Sequence, residues 1–192
     1  METELYRYGD VSIYVAEIDH DKSVASSPRE RERIAERTLI RQLLGDKVML
    51  THDENGRPRL EGVKMYISIS HSRHKLCIAL SETTETGVDI EELQPRLEEV
   101  KYKYMTEGAL GELREKGSLA ELALCWSAKE AVYKLAGEKA GALGENVVLE
   151  GLANMRERGV FQARIGEERF DIRILKQTAT DEIVIACRCM NI

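Results

Sequence analysis

The chain has 192 residues, 43% hydrophobic and 32% charged, enough to bury one substantial core or two small ones and far from a disordered composition. Its formal charge of −6 argues against a general nucleic-acid binder, and any anionic ligand must be held by a local basic pocket. No stretch approaches the roughly 18 apolar residues of a membrane span, and Met1-Glu2-Thr3-Glu4 lacks the basic and apolar regions of a signal peptide. A cytoplasmic protein with no membrane or nucleic-acid partner is expected. Of the four cysteines, only Cys187 and Cys189 lie close together, and no second Cys or His pair completes a zinc site, so Cys77, Cys125, Cys187 and Cys189 read as free structural thiols.

In chain order, Val11, Ile13 and Val15 alternate with polar or small residues, as in a strand. A long helix follows, with Ser27 as N-cap, Pro28 in the first turn, Ala35, Leu39 and Leu43 on one stripe and Gly45 at its end. Its other face carries Arg29, Arg33, Arg37 and Arg41. Asp53-Glu-Asn-Gly56 signals a turn, and Pro58 keeps the next residues extended. Met65 to Ser70 alternates as a half-buried strand, and the apolar run Leu76 to Leu80 predicts a neighbouring strand beyond a short turn.

The polar run Ser81 to Thr86 is the candidate junction between two halves, 1–85 and 86–192. Beyond it the pattern predicts a strand at Gly87, a charged helical region around Glu98 to Lys116, and a helix starting at Ser118. There Ser118 and Glu121 form a capping box, and Gly137 stands at the C-terminal cap. Four alternating segments, from Val147 to Arg188, predict an antiparallel meander.

Chemistry concentrates in Gly87-Val-Asp-Ile-Glu91 and Trp126-Ser-Ala-Lys-Glu-Ala-Val-Tyr-Lys134. On a strand Asp89 and Glu91 project from the same face, and like charges this close repel unless a cation intervenes. On a helix Trp126, Glu130 and Lys134 share a face, so Glu130 is available as a third carboxylate. Carboxylates with no Cys or His ligand set suit a hard, oxygen-seeking ion such as Mg²⁺. Lys134, and His71 after Ser70 at a strand end, are groups that bind phosphate. Taken singly, each piece has a plainer reading: Glu130 and Lys134 as a surface ion pair worth about 0.3–0.5 kcal/mol, and D-x-E as a solvated strand edge.

Together, Ser68-Ile-Ser-His-Ser72, Gly87 to Glu91 and Trp126 to Lys134 resemble, in order and approximate spacing, the signature blocks of the 4′-phosphopantetheinyl transferases. The length resembles the surfactin-synthetase-activating type, in which two similar halves form a pseudo-dimer. The resemblance implies an α+β fold whose halves each pack an antiparallel sheet on a long helix, with coenzyme A in the cleft between them and a monomeric active unit. It also implies a reaction: a serine of an apo acyl or peptidyl carrier protein attacks the β-phosphate of coenzyme A, and 3′,5′-ADP leaves.

On the matching positions, Asp89, Glu91 and Glu130 would hold Mg²⁺ or Mn²⁺, Lys134 and His71 would contact phosphate, and Ser70 would lie near the 3′-phosphate. Glu130 would also accept the serine proton, directly or through water, or serve as a ligand alone. Gly56-Arg57-Pro58 resembles the family's G-K-P element with Arg57 for lysine, and Arg37-Thr38-Leu39 resembles an R-T-L element whose threonine contacts the coenzyme. Ser68 stands where the family often has asparagine. Arg29 and Arg33 read as a solvated face, and Trp126 as packing. The competing readings are a coenzyme A-binding relative without turnover and a Mg²⁺-dependent phosphohydrolase built on the same acids.

Overall fold

A computed structural model describes residues 1–20, 27–114, 117–177 and 182–189. The fold is α+β, and the chain divides into two compact units, Met1–Glu85 and Thr86–Ile192.

The first unit contains β1 (Thr3–Tyr8), β2 (Val11–Glu17), α1 (Pro28–Leu44), β3 (Met49–His52), β4 (Pro58–Glu61), β5 (Tyr66–His71) and β6 (Lys75–Ser81). Four strands form an antiparallel sheet in the order β1-β2-β6-β5, and β3 and β4 form a separate hairpin. The Ser27 side chain accepts from the Glu30 amide at 3.2 Å, and Gly45, at φ 87°, donates its own amide to the Arg41 carbonyl at 2.9 Å. The helix is therefore closed at both ends by local chemistry. Ala35, Leu39 and Ile40 of α1 pack with Ala16, Leu76, Ile78 and Leu80 of the sheet. Each fully buried Leu or Ile here stabilises the fold by about 1.5–3 kcal/mol. On β5, Ile67 and Ile69 lie against this core while Ser68 and Ser70 are buried on the opposite face.

The second unit contains β7 (Gly87–Glu92), α2 (Arg96–Val100), α3 (Glu107–Glu112), α4 (Leu119–Ala136), β8 (Val148–Glu150), α5 (Met155–Arg158), β9 (Val160–Ile165), β10 (Glu168–Gln177) and β11 (Glu182–Cys189). Its sheet runs β7-β11-β10-β9-β8, so the last four strands form the expected meander and β7 is added at its edge. The helix α4 opens on the capping box of Ser118 and Glu121 and packs on β7 and β11. Leu122, Leu124, Ala128 and Val132 of α4 join Phe161, Phe170 and Ile172 of the sheet in one core.

The charged region from Glu98 departs from the expected helix. It is cut into α2, a 3₁₀ turn at Lys101–Lys103 and α3, because Tyr104 and Met105 turn inward to the core and Thr106 recaps the chain by accepting from the Ala109 amide. The end of the region, Glu115 and Lys116, lies outside the described residues. Cys77 and Cys125 are buried free thiols, and the side chains of Cys187 and Cys189 lie outside the described residues.

Candidate active site

In the second unit the alternation of β7 turns Asp89 toward α4, where Lys134 Nζ donates to Asp89 Oδ1 at 2.8 Å and to the Val88 carbonyl at 3.0 Å. Lys134 lies in the last turn of α4, so the register of the helix against the edge strand decides this contact. Asp89 is only 5% exposed, while Val88 and Ile90 are buried. Glu91, half-buried two residues along, accepts at Oε1 from the Glu92 amide and from Gln94 Nε2, both at 3.1 Å. Burial, and then the charge of Asp89, pushes the Glu91 carboxyl up to about 7. Glu130 is raised for the same two causes in the same order, and the Lys134 ammonium only partly opposes them.

Asp89 is thus the negative centre that both glutamates sense. The donors are all oxygen, and their mutual repulsion is what a hard divalent ion relieves, so the chemistry of the set fits Mg²⁺ or Mn²⁺. Among the described residues, no group of three or more His, Cys, Asp or Glu side chains is drawn together closely enough to form a closed ligand set. Lys134 instead holds one oxygen of Asp89.

Beside Glu91, a pocket of about 370 Å³ is lined by Gln94, Leu97, Tyr104 and Trp126 among others. Trp126 meets Tyr104 edge to face, with ring centroids 5.2 Å apart, and packs at the margin of the core as its lone position on the helix suggests. Lys129 is the lysine of the motif for which sequence reasoning found no role. Its Nζ is buried and donates to the carbonyls of Gly144 at 2.7 Å and Val147 at 2.8 Å, tying the loop after α4 back onto the helix. Burial lowers the pKa of its ammonium. Gly144, at φ +65°, brings its backbone so close that an added Cβ would sit 3.0 Å from the Lys129 Cβ, so both space and backbone conformation favour glycine there. Lys129 and Gln94 escape a sequence reading because their partners are set by packing. Only the short spacing from Glu91 to Gln94 is a local signal.

The remaining candidates belong to the first unit. His71 ends β5 and sets Nε2 2.9 Å from Glu36 Oε1, a buried carboxylate of α1 that carried no sequence signal of its own. Ser70 is buried on the same strand. Arg37 and Thr38 follow Glu36 on the exposed side of α1. Arg57 sits in the β3–β4 turn, where Asp53 Oδ1 accepts its amide at 2.9 Å and the Asn55 amide at 3.0 Å.

A sequence profile of the 4′-phosphopantetheinyl transferase superfamily matches residues 85–186, more than half of the chain and the span that carries Asp89, Glu91, Glu130 and Lys134. The chain belongs to that superfamily. It is also similar to the 4′-phosphopantetheinyl transferases AcpT of Salmonella typhi and of Salmonella typhimurium, each 28% identical over 141 residues that cover 69% of this chain and 73% of the relative. No helix among the described residues is long and apolar enough to cross a membrane.

Proposed function

We propose that this superfamily member transfers the 4′-phosphopantetheine arm of coenzyme A to a serine of an apo acyl or peptidyl carrier protein and releases 3′,5′-ADP. The observation that carries the reading is the set of acids around Asp89, in which Glu91 and Glu130 are held above the usual carboxylate range within the span matched by the superfamily. Such acids are costly to keep charged without a cation, and the family's chemistry calls for one.

In this reading Asp89, Glu91 and Glu130 hold the divalent ion, Mg²⁺ or Mn²⁺. A divalent ion held there would supply Lewis-acid stabilisation of the negative charge that develops on the phosphate oxygens. Lys134 sits beside Asp89, where its ammonium can serve both that carboxylate and a phosphate oxygen. Glu130, with a raised pKa, suits acceptance of the serine proton. His71 Nε2 lies beside the Glu36 carboxylate, and a ring protonated on both nitrogens would turn Nδ1–H to phosphate. Ser70, Arg37, Thr38 and Arg57 serve the nucleotide end of coenzyme A. In this reading the chain is a cytoplasmic monomer of the surfactin-synthetase-activating type, and its two units, Met1–Glu85 and Thr86–Ile192, correspond to the family's two halves.

The test is incubation of the chain with apo carrier proteins, coenzyme A and Mg²⁺, followed by intact-protein mass measurement. Gain of the phosphopantetheine mass, only with the coenzyme and the ion both present, is expected. No mass gain across several unrelated carrier proteins overturns the reading and leaves a coenzyme A-binding relative without turnover, while release of phosphate without transfer points to a hydrolase.

A further inference from the structure

Two histidines outside the candidate active site stand in an arrangement that a plain surface does not require. His20 follows the end of β2 and His74 precedes β6, and both rings are exposed. His74 Nδ1 and His20 Nε2 are 3.0 Å apart, with ring centroids at 4.8 Å and planes crossed at 71°. The backbone holds them there. Glu17 and Lys75 are register partners in the sheet, and the Ile18 amide donates to the His74 carbonyl at 2.8 Å, which carries the ladder one step further. On the other side of His74, the Ser72 amide donates to the Lys75 carbonyl at 2.9 Å and Ser72 Oγ accepts the Lys75 amide at 3.2 Å, closing the turn.

We propose that His20 and His74 form a binding site for one borderline divalent transition-metal ion of the zinc class. Two imidazole nitrogens on one tetrahedral ion, each about 2.0–2.1 Å from it, lie about 3.3–3.4 Å apart. The pair therefore needs to open by only a few tenths of an ångström, and imidazole is the ligand such ions favour over the oxygen donors that Mg²⁺ prefers. In the metal-free pair one ring donates its proton to the other. On binding, the donor ring moves that proton to its other nitrogen, so both facing lone pairs become available and no net proton is lost from a neutral pair. Water completes the coordination. The adjoining groove is lined by Glu2, Glu4, Glu17 and Asp19 against Lys75 and Met1 with its N-terminal ammonium, an excess of acids that favours a cation at its mouth.

The test is calorimetric titration of the untagged full chain with zinc sulfate in excess Mg²⁺, which occupies the oxygen ligands of the second unit, together with histidine-ring ¹H–¹⁵N correlation spectra. One Zn²⁺ equivalent is expected to disappear in His20→Ala and in His74→Ala and to persist in His52→Ala. In the unsubstituted chain, Zn²⁺ should shift the His20 and His74 ring signals and leave those of His52 in place. Circular dichroism verifies that the variants fold. Equal uptake in the His20 and His74 variants, or ring signals that ignore Zn²⁺, reduces the pair to an imidazole hydrogen bond and overturns the proposal.

Discussion

Two acidic centres of this chain are treated in opposite ways. Asp10, in the turn between β1 and β2, accepts hydrogen bonds from Ser81 Oγ at 2.7 Å, from Thr84 Oγ1 at 2.8 Å and from Thr83 Oγ1, and these hydroxyls hold its carboxyl far below the usual 3.8. Glu91 and Glu130 are displaced upward, because burial strips them of water and Asp89 adds a like charge. A carboxylate that is satisfied by neutral donors is a structural clamp. A group of carboxylates whose repulsion is left standing is poised for a cation, and that contrast separates architecture from chemistry better than burial does.

The comparison breaks most severely through turnover. Lys134→Ala is expected to slow single-turnover phosphopantetheine transfer by about 10²–10³-fold if the ammonium stabilises transition-state charge, with metal binding retained. Asp89→Asn and Glu130→Gln nearly preserve volume and should shift or abolish the Mg²⁺ dependence. High Mg²⁺ should rescue Asp89→Asn better than Glu130→Gln, since Glu130 is also assigned the serine proton. Full recovery of Glu130→Gln in a Mg²⁺ titration would leave it a ligand only.

A second substitution sharpens the comparison by asking which cation of the motif does which task. Lys134 is among the causes that temper the raised carboxyl of Glu130, whereas Lys129 is directed at two carbonyls. Lys129→Met keeps the stem that packs against Gly144 but strips both carbonyls of their donor, at about 1–3 kcal/mol for each group left unsatisfied. A clear fall in Tm with an unchanged Mg²⁺ requirement is expected. A change in Mg²⁺ requirement without loss of stability would move Lys129 into the active site.

What can be read from the sequence follows the range of each interaction. The caps at Ser27 and Ser118 are legible because the partner amides are three residues away. β1 gives no such signal because it is an edge strand whose Leu5 is 48% exposed, so it lacks an apolar face to betray it. The β3–β4 ladder shows in the sequence only as the turn at 53–56 and the extended residues after Pro58, and Met49, at 57% exposed, again gives no buried stripe. At the site, period two on β7 pairs Asp89 with Glu91 and period four on α4 pairs Glu130 with Lys134, while only the family resemblance joins the two pairs. The tie from Lys134 to Asp89 spans 45 residues, and the place of Glu36 beside His71 depends on how α1 lies on its sheet, so neither contact has a local signature.

The pH dependence should carry the same contrast into stability. With Glu91 raised from 4.5 to about 7, the folded metal-free chain binds more protons than the unfolded chain between those values. Its contribution is fully present below about pH 4.5 and is lost as pH rises to about 7, so the metal-free Tm should fall across that window. Glu91→Gln should flatten the slope. Mg²⁺ should act in the opposite sense, raising Tm more at about pH 8 than at about pH 5, because only the ionised carboxylates ligate it. An equal Mg²⁺ effect at both values would show that the ion does not bind these acids.

The smallest effect is expected at Asp10, and it tests the clamp half of the comparison. Its carboxyl is depressed, so its contribution is present above pH 3.8 and is lost as pH falls below that value. Asp10 is exposed, water screens its charge, and the hydroxyls of Thr83 and Thr84 can turn to solvent when the carboxylate is gone. Asp10→Asn keeps one acceptor oxygen and replaces the other with a donor; with the amide oxygen in the place of Oδ2, Ser81 and Thr83 keep their acceptor and only the Thr84 hydroxyl must find a new partner. A slight drop in Tm at neutral pH and a shallower acid limb below pH 3.8 are therefore expected, with Mg²⁺ dependence and transfer rate unchanged. A loss of Mg²⁺ dependence in this variant would mean that the clamp shapes the metal site, and the division between a structural and a chemical acid centre would fail.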